Sequence, residues 1–360
     1  MSTTKVLHVI ARMNVGGTAR YVSELVEAIP NSKLATGFVQ GSEVEDPAVE
    51  LLPVFRIHHL GRKISPIADF KAWRELAKVI REQKPAILHT HTFKAGLIGR
   101  LTRGSHKHVH TFHGHLFNDN SFSFIERKVI TLIERWLAHR TDVLVSVGLN
   151  VGQELRSAGI GVAKEWASIP PGVKELKNYD KSEARELINT TGSGLLIGWM
   201  ARMTSVKNPY LLLKVAVQLP DLQFVMAGGG DLLDSIKTKA PDNVKVIGWT
   251  DAAIFWSAVD IAISTSDNEG MPVALIEAAL KGIPIVATKV GSNAEVVKDQ
   301  VTGFVVSNNE REIAQAIEIL IDDVQMRDRL SSAAKERASN LFTLEKMIEK
   351  HESCYENLLE

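Results

Sequence analysis

Several features that would set this chain apart are absent. It has a single cysteine, Cys354, so no disulfide can form within it and a reducing, cytoplasmic compartment is expected. No apolar run approaches the roughly eighteen residues needed to cross a bilayer, so no spanning helix is expected. The opening "MSTTKVLHVIARMNVGG" is a short strand-like run ending in glycines, without the longer apolar stretch and small-residue cleavage site of a secretion signal. Sequence repeats and low-complexity segments are missing too. Net charge is also absent: lysine plus arginine and aspartate plus glutamate number 42 each, and no nucleic-acid partner is expected.

What is present is ordinary in bulk and uneven in detail. The 360 residues are 45% apolar and 23% charged, typical of a globular protein and long enough for two domains. Up to Pro170 there are 22 basic and 15 acidic residues, and after it 20 and 27. Eleven of the twelve histidines also precede Pro170. A plain solvated surface explains such a bias. So would an anionic partner of the first half, such as a phosphorylated lipid or an acidic leaflet.

Along the chain, short apolar runs alternate with helical patterns. "KVLHVIA", "VFRIHHL", "PAILHTH", "KHVHTFH" and "DVLVSVG" read as strands, separated by helices such as "DFKAWRELAKVIREQ" and "SFIERKVITLIERWLAHR". The pattern breaks at "IPPGVKELKNYD" and resumes with "LLIGWMA", "LQFVMAG", "VKVIG", "DIAIS", "IPIVAT" and "TGFVV". Two doubly wound α/β domains are expected, with parallel sheets covered on both faces and ligands beyond the carboxyl ends of the strands in a central cleft. We place the domains at residues 1–170 and 171–340, with the final helix, 341–360, packing back on the first.

Three glycine-containing or cationic turns fall at strand ends. In "NVGGTAR", Gly16 and Gly17 would let a ligand approach the backbone at a helix N-terminus. This is neither the dinucleotide fingerprint nor a Walker loop, so NAD and ATP do not follow. In "ARMTSVKNP", Arg202 and Lys207 suit a diphosphate, one as a fork and the other as a point charge. In "AGGGD", Gly228, Gly229 and Gly230 would clear space for a flat base or ribose. A tight turn or a pair of surface cations is the plain alternative for each.

The stretch "SDNEGMPVALIEAALKGIPIVAT" sets Glu269 and Glu277 eight positions apart. Pro272 suits a first helical position, and the amides of Gly270 and Met271 would then face an anion from the positive end of the helix. At about 1.5 Å rise per residue the two Cα atoms lie roughly 12 Å apart. That is wide for a glycosidase acid and nucleophile, whose carboxyls lie about 5–9.5 Å apart. It better suits gripping two parts of an elongated ligand.

"EGMPVALIE" resembles the E-x7-E motif of retaining glycosyltransferases of the GT-B fold, in the large family four. The "GG" turn, "LHTHTFKAGLIGRL", "HTFHGHLF", "IPPGV", "ARMTSVKNP", "AGGGD" and "IGWTD" extend the likeness over nearly the whole chain, towards bacterial enzymes that assemble cell-surface polysaccharides. The resemblance implies a nucleotide diphosphate sugar donor, by family frequency a UDP-sugar, and a glycan or lipid-linked glycan acceptor. It implies Glu277 on the ribose hydroxyls and Glu269, Gly270 and Met271 on the transferred sugar or phosphate. Arg202 and Lys207 would sit on the leaving diphosphate, Gly16 and Gly17 would close on it, and His113 would stand by the reacting sugar. Protein cations would replace a metal, so neither a metal nor another cofactor is expected. Pro171 stands where the family often has asparagine, and Ala201 where a glycine is common. The rival functions are an epimerase or phosphorylase of the same fold, or a nucleotide-sugar-binding subunit without turnover.

His89, His91, His106, His108, His110, His113 and His115 fall within 27 residues. Metal binding is one reading of the H-x-H spacing, but no cysteine or carboxylate accompanies it, so strand-end and packing roles are expected apart from His113. Finally, "SFIERKVITLIERWLAHR" sets Ile125, Ile130, Ile133, Trp136 and Leu137 beside Arg127, Lys128, Arg135 and Arg140. Such a helix can lie on an anionic membrane, giving peripheral contact at its inner face, or can bury the same apolar residues on the sheet.

Overall fold

The computed structural model describes residues 4–360 apart from 42, 62, 63, 115–122, 191 and 193. His115 therefore lies outside the described residues. The chain divides into a first unit, residues 1–172 with 344–360, and a second unit, residues 173–343.

In the first unit the chain runs β1 (Val6–Ile10), α1 (Gly17–Ala28), β2 (Ser32–Thr36), β3 (Val54–Arg56), α2 (Pro66–Gln83), β4 (Ile87–His91), α3 (Thr92–Arg100), β5 (Lys107–Phe112), α4 (Phe124–Ala138), β6 (Val143–Ser146), α5 (Leu149–Ser157) and β7 (Glu165–Ser168). The strands form one sheet in the order β3-β2-β1-β4-β5-β6-β7, and every pairing is parallel. Strand order reverses between β1 and β4, which opens the usual ligand crevice beyond their carboxyl ends. The continuous burial of β1 and β4 follows from helices on both faces.

The second unit runs α6 (Lys181–Leu187), β8 (Leu196–Met200), α7 (Pro209–Gln218), β9 (Gln223–Ala227), α8 (Leu233–Lys239), β10 (Val244–Gly248), α9 (Ala252–Ala258), β11 (Ile261–Ser264), α10 (Val273–Leu280), β12 (Ile285–Thr288), α11 (Asn293–Val296), β13 (Gly303–Val306), α12 (Glu310–Asp322) and α13 (Val324–Leu341). Its sheet is parallel in the order β10-β9-β8-β11-β12-β13, and the reversal falls between β8 and β11. The last helix, α14 (Leu344–Leu359), belongs to the first unit. There it packs on α1, where Tyr21 Oη lies 2.6 Å from His351 Nε2.

Two architectural features differ from the sequence pattern. β2 is a central strand although "SKLAT" is only partly apolar; burial by its neighbours overrides its composition. "VFRIHHL" forms a strand only over Val54–Arg56, before the chain turns away.

Candidate active site

In the second unit, the loops that follow β8 and β11 meet where strand order reverses. Met200 gives way to a loop that ends in Asn208, a left-handed residue whose side chain caps α7 at Leu211 N. The loop after β11 is tied to it by backbone and side chain: Asp267 N donates to Val206 O, and Thr265 Oγ1 donates to Lys207 O and Asn208 O. Trp199 Nε1 donates in turn to Thr265 Oγ1. This lattice holds Lys207 against Glu269, with Nζ 2.5 Å from Oε1, while Ser266 Oγ donates to the same oxygen at 2.8 Å. The Glu269 side chain is only 8% exposed.

Arg202 and Lys207 are thus not equivalent. Lys207 is engaged with a carboxylate, whereas Arg202 is exposed and makes no ion pair among the described residues. The sequence pattern gave no sign of this difference, because pairing depends on the β8–β11 adjacency.

The helix after Glu269 begins at Val273, with Pro272 as the flanking cap at φ −82° and ψ 91°. This corrects the expected start at Pro272 by one residue. The reason is that Pro272 keeps an extended ψ, while its carbonyl accepts from Leu275 and Ile276. The amides of Gly270 and Met271 donate to no backbone carbonyl among the described residues. Glu277 does not lie on a solvated helix face: it is 4% exposed, and Trp256 Nε1 donates to its Oε2 at 3.2 Å. The two glutamates turn to different partners, Lys207 for one and Trp256 for the other.

The three glycines after β9 have an internal reason. A Cβ on Gly228, at φ +127°, would stand 1.9 Å from Ala201 O, and one on Gly230 would stand 2.4 Å from Met203 O. A Cβ on Gly229 would meet the Trp249 indole at 2.3 Å. Gly228 and Gly230 thus let the end of β9 press against the loop carrying Arg202, and Gly229 leaves room for Trp249.

In the first unit, Gly16 caps α1 at φ +150° and ψ 175°, with no atom nearer than 4.0 Å to a Cβ built on it. Gly17 is the first residue of the helix. The turn is therefore open, and its glycine serves backbone conformation. Across the same reversal, Thr92 opens α3 at φ +66°, a left-handed conformation that a β-branched residue rarely adopts.

His113, just past β5, belongs to a connected set of imidazoles. Its Nε2 lies 3.1 Å from His91 Nδ1, and His91 Nε2 lies 3.1 Å from His8 Nδ1. His89 joins through ring contact and bonds Tyr355 Oη and Thr111 Oγ1. His8, His89 and His91 each offer a nitrogen within 4.8 Å of the others, a spacing a metal ion could bridge. Yet both nitrogens of His89 and of His91 are already hydrogen-bonded, so the trio reads as an internal network. Burial lowers His8 and His113 to about 3, and holds His89, His91 and His351 well below the ordinary range. Burial therefore favours the neutral form of His113, which can donate or accept a hydrogen bond. His8 and His351 escaped the sequence reading because they lie far from the H-x-H run; strand register and the return of α14 bring them in.

Comparison with known proteins fits both halves. Residues 16–172 match the model described as "Glycosyl transferase 4-like domain", and residues 180–337 match "Glycosyl transferases group 1". The chain is 24% identical over 381 residues to the UDP-Gal:alpha-D-GlcNAc-diphosphoundecaprenol alpha-1,3-galactosyltransferase of Escherichia coli, covering 98% of this chain and 97% of that one. Among solved structures, sucrose-phosphate synthase from Thermosynechococcus elongatus aligns with TM-score 0.84 and 19% identity over 99% of both chains. Anabaena Alr3699/HepE in complex with UDP-glucose aligns with TM-score 0.84 and 19% identity over 98% of this chain and 99% of that chain. With one family model on each of its two parallel-sheet α/β units, the chain belongs to the glycosyltransferases of the GT-B fold.

Proposed function

We propose that the protein is a retaining glycosyltransferase that moves a sugar from a UDP-sugar to a hydroxyl of a lipid-linked glycan. The observation that carries this reading is the Lys207–Glu269 pair, which joins the loops after β8 and β11 beside Arg202, a cation with no ion pair among the described residues. The activity named for the Escherichia coli relative and the UDP-glucose in the Anabaena structure support the choice of donor and acceptor.

In this reading Arg202 and Lys207 take the diphosphate, helped by the amides of Gly270 and Met271 at the positive end of α10. Glu277 accepts from the ribose hydroxyls, and Glu269 orients Lys207 and touches the transferred sugar. The bond between the anomeric carbon and the phosphate oxygen breaks, and its electron pair leaves with the diphosphate. The acceptor oxygen bonds the anomeric carbon on the face the phosphate vacates. Its proton passes to a phosphate oxygen, so no protein nucleophile is required. Charge grows on the phosphate, and cations fixed before the reaction stabilise that growth more than they stabilise the bound donor. In the first unit, Gly16, Gly17 and His113 are assigned to substrate binding, His113 as a neutral hydrogen-bonding group.

The test is the product. NMR of the anomeric proton after reaction of an α-linked UDP-sugar with a diphosphoundecaprenol-linked acceptor is expected to show an α-linkage. A β-linked product would overturn retention, and consumption of donor without a new glycosidic bond would overturn transfer.

A further inference from the structure

A neutral imidazole donates from one ring nitrogen and accepts at the other, so the position of its single proton decides what it offers a substrate. In the first unit that position follows from the hydrogen bonds. The alternation of β4 puts His89 and His91 on one face, and strand register sets His8 of β1 opposite His89. His8 Nδ1 lies 3.1 Å from His91 Nε2, and His91 Nδ1 lies 3.1 Å from His113 Nε2. Burial favours the neutral form of all three rings. Each of the two contacts therefore joins one N–H to one lone pair.

The direction of the chain is set at its far end. His8 Nε2 is buried with no hydrogen-bond partner among the described residues. A buried N–H without an acceptor is rarer and costlier than a lone pair without a donor. The His8 proton therefore sits on Nδ1 and is donated to His91 Nε2. His91 then keeps its proton on Nδ1 and donates to His113 Nε2, which leaves the His113 proton on Nδ1. Two further rings with an orphaned nitrogen obey the same rule. His110 lacks a partner at Nε2, so its Nδ1 donates to Thr90 Oγ1 at 2.8 Å, and that hydroxyl donates to Val109 O. His351 lacks one at Nδ1, so its Nε2 donates to Tyr21 Oη at 2.6 Å, and that hydroxyl donates to Ile169 O. The Tyr21 ring also meets the His113 ring at 4.8 Å and a right angle, so packing and a hydrogen bond both orient this imidazole.

We propose that His91, backed by His8, is a positioning residue for sugar transfer: it holds the His113 proton on Nδ1, so that His113 donates a hydrogen bond to a substrate oxygen and does not accept one. What His113 meets rests on the transferase reading. The position of its proton does not, and it is measured without substrate.

The experiment is a long-range proton–nitrogen correlation spectrum of the full chain with nitrogen-15 histidine, at neutral pH and without sugar nucleotide. Protonated and unprotonated ring nitrogens resonate far apart in it, and the ring missing from His113→Gln identifies His113. The expected wild-type signature is a protonated Nδ1 and an unprotonated Nε2. His91→Gln keeps an N–H that can donate to His113 Nε2, and the signature should survive. His91→Met is similar in size but has only a weak acceptor, and the His113 proton should move at least partly to Nε2. Transfer from UDP-galactose to a diphosphoundecaprenol-linked acceptor should then fall by about tenfold in the Met variant and much less in the Gln variant, as for one lost hydrogen bond. A wild-type proton on Nε2, or an unmoved proton in the Met variant, would overturn the proposal and leave sugar transfer standing. Equal loss of transfer in both variants, or none in the Met variant, would overturn the positioning role. No transfer by the wild type would count against the transferase reading instead, with the proton's position still decided by the spectrum.

Discussion

The two units share a parallel-sheet plan but differ in what they bury. The second unit packs an apolar interior around Trp256, Phe255, Ile276 and Val225 on one side and Trp199, Phe224 and Leu212 on the other. Its charged pair, Lys207–Glu269, stands at the carboxyl edge of the sheet. The first unit instead buries His8, His89, His91, His110 and His351 with Thr90, Thr111, Arg100 and Glu134, and sets its apolar clusters around them. Hydrogen bonds must then satisfy much of that interior, and a proton gained by an imidazole there adds a buried charge and turns an accepting ring nitrogen into a donor. One sheet thus supports a charged pair above a largely apolar core. The other supports a hydrogen-bonded interior whose integrity depends on neutral imidazoles.

The strongest way to break this contrast is at the charged pair. Lys207→Ala is expected to lower turnover by about 10²-fold or more. The structure adds a cost that the sequence did not show. Glu269 would keep only Ser266 as partner, and stability is expected to fall by about 1–3 kcal/mol. Lys207→Met/Glu269→Gln, which removes both charges, is expected to recover most of the stability and none of the turnover. Steady-state kinetics and urea unfolding separate the two effects.

Acid sharpens the contrast next. Burial lowers the folded-state affinity of these histidines for protons, so below the ordinary imidazole value of 6.5 the unfolded chain binds more protons than the folded one. Stability is present above pH 6.5 and is lost as pH falls towards about 3, at up to about 1.4 kcal/mol per pH unit for each such group. Hydrogen exchange across this range is expected to show β1, β4 and α14 losing protection before β8, β11 and α10. Simultaneous loss in both units would break the comparison.

A smaller effect is expected at the glycine turn. Gly228→Ala places a methyl 1.9 Å from Ala201 O, so the Arg202 loop must shift and the melting temperature should fall by several degrees. The smallest concerns Glu277→Gln. Its amide oxygen can still accept from Trp256 Nε1, so the melting temperature should hardly move. Affinity for UDP should weaken by about fivefold, as a charge-assisted bond becomes a neutral one. Isothermal titration reads that difference.

The fold was legible because buried parallel strands write themselves as apolar runs such as "VLHVI" and "IVAT", interrupted by helix periodicity. β2 was hidden because its partners, not its own "SKLAT", bury it. In the site, Glu269 and Lys207 were marked by residue type and by position at strand ends, and topology brought them together. Their engagement with each other, the Trp256 bond to Glu277 and the protein-facing reason for Gly228 all depend on neighbours remote in sequence. The imidazole network shows the same limit: the H-x-H run was visible, but His8 and His351 enter only through register and the returning helix.

The measurement that tests the central claim most directly is hydrogen exchange of the full chain with and without UDP. The account predicts slowed exchange in residues 201–208 and 265–277, the segments that carry Arg202, Lys207, Glu269 and Glu277, and loss of that protection in Lys207→Met/Glu269→Gln. Unchanged exchange in both segments, or protection that persists in the double variant, would contradict a nucleotide site at the β8–β11 crevice.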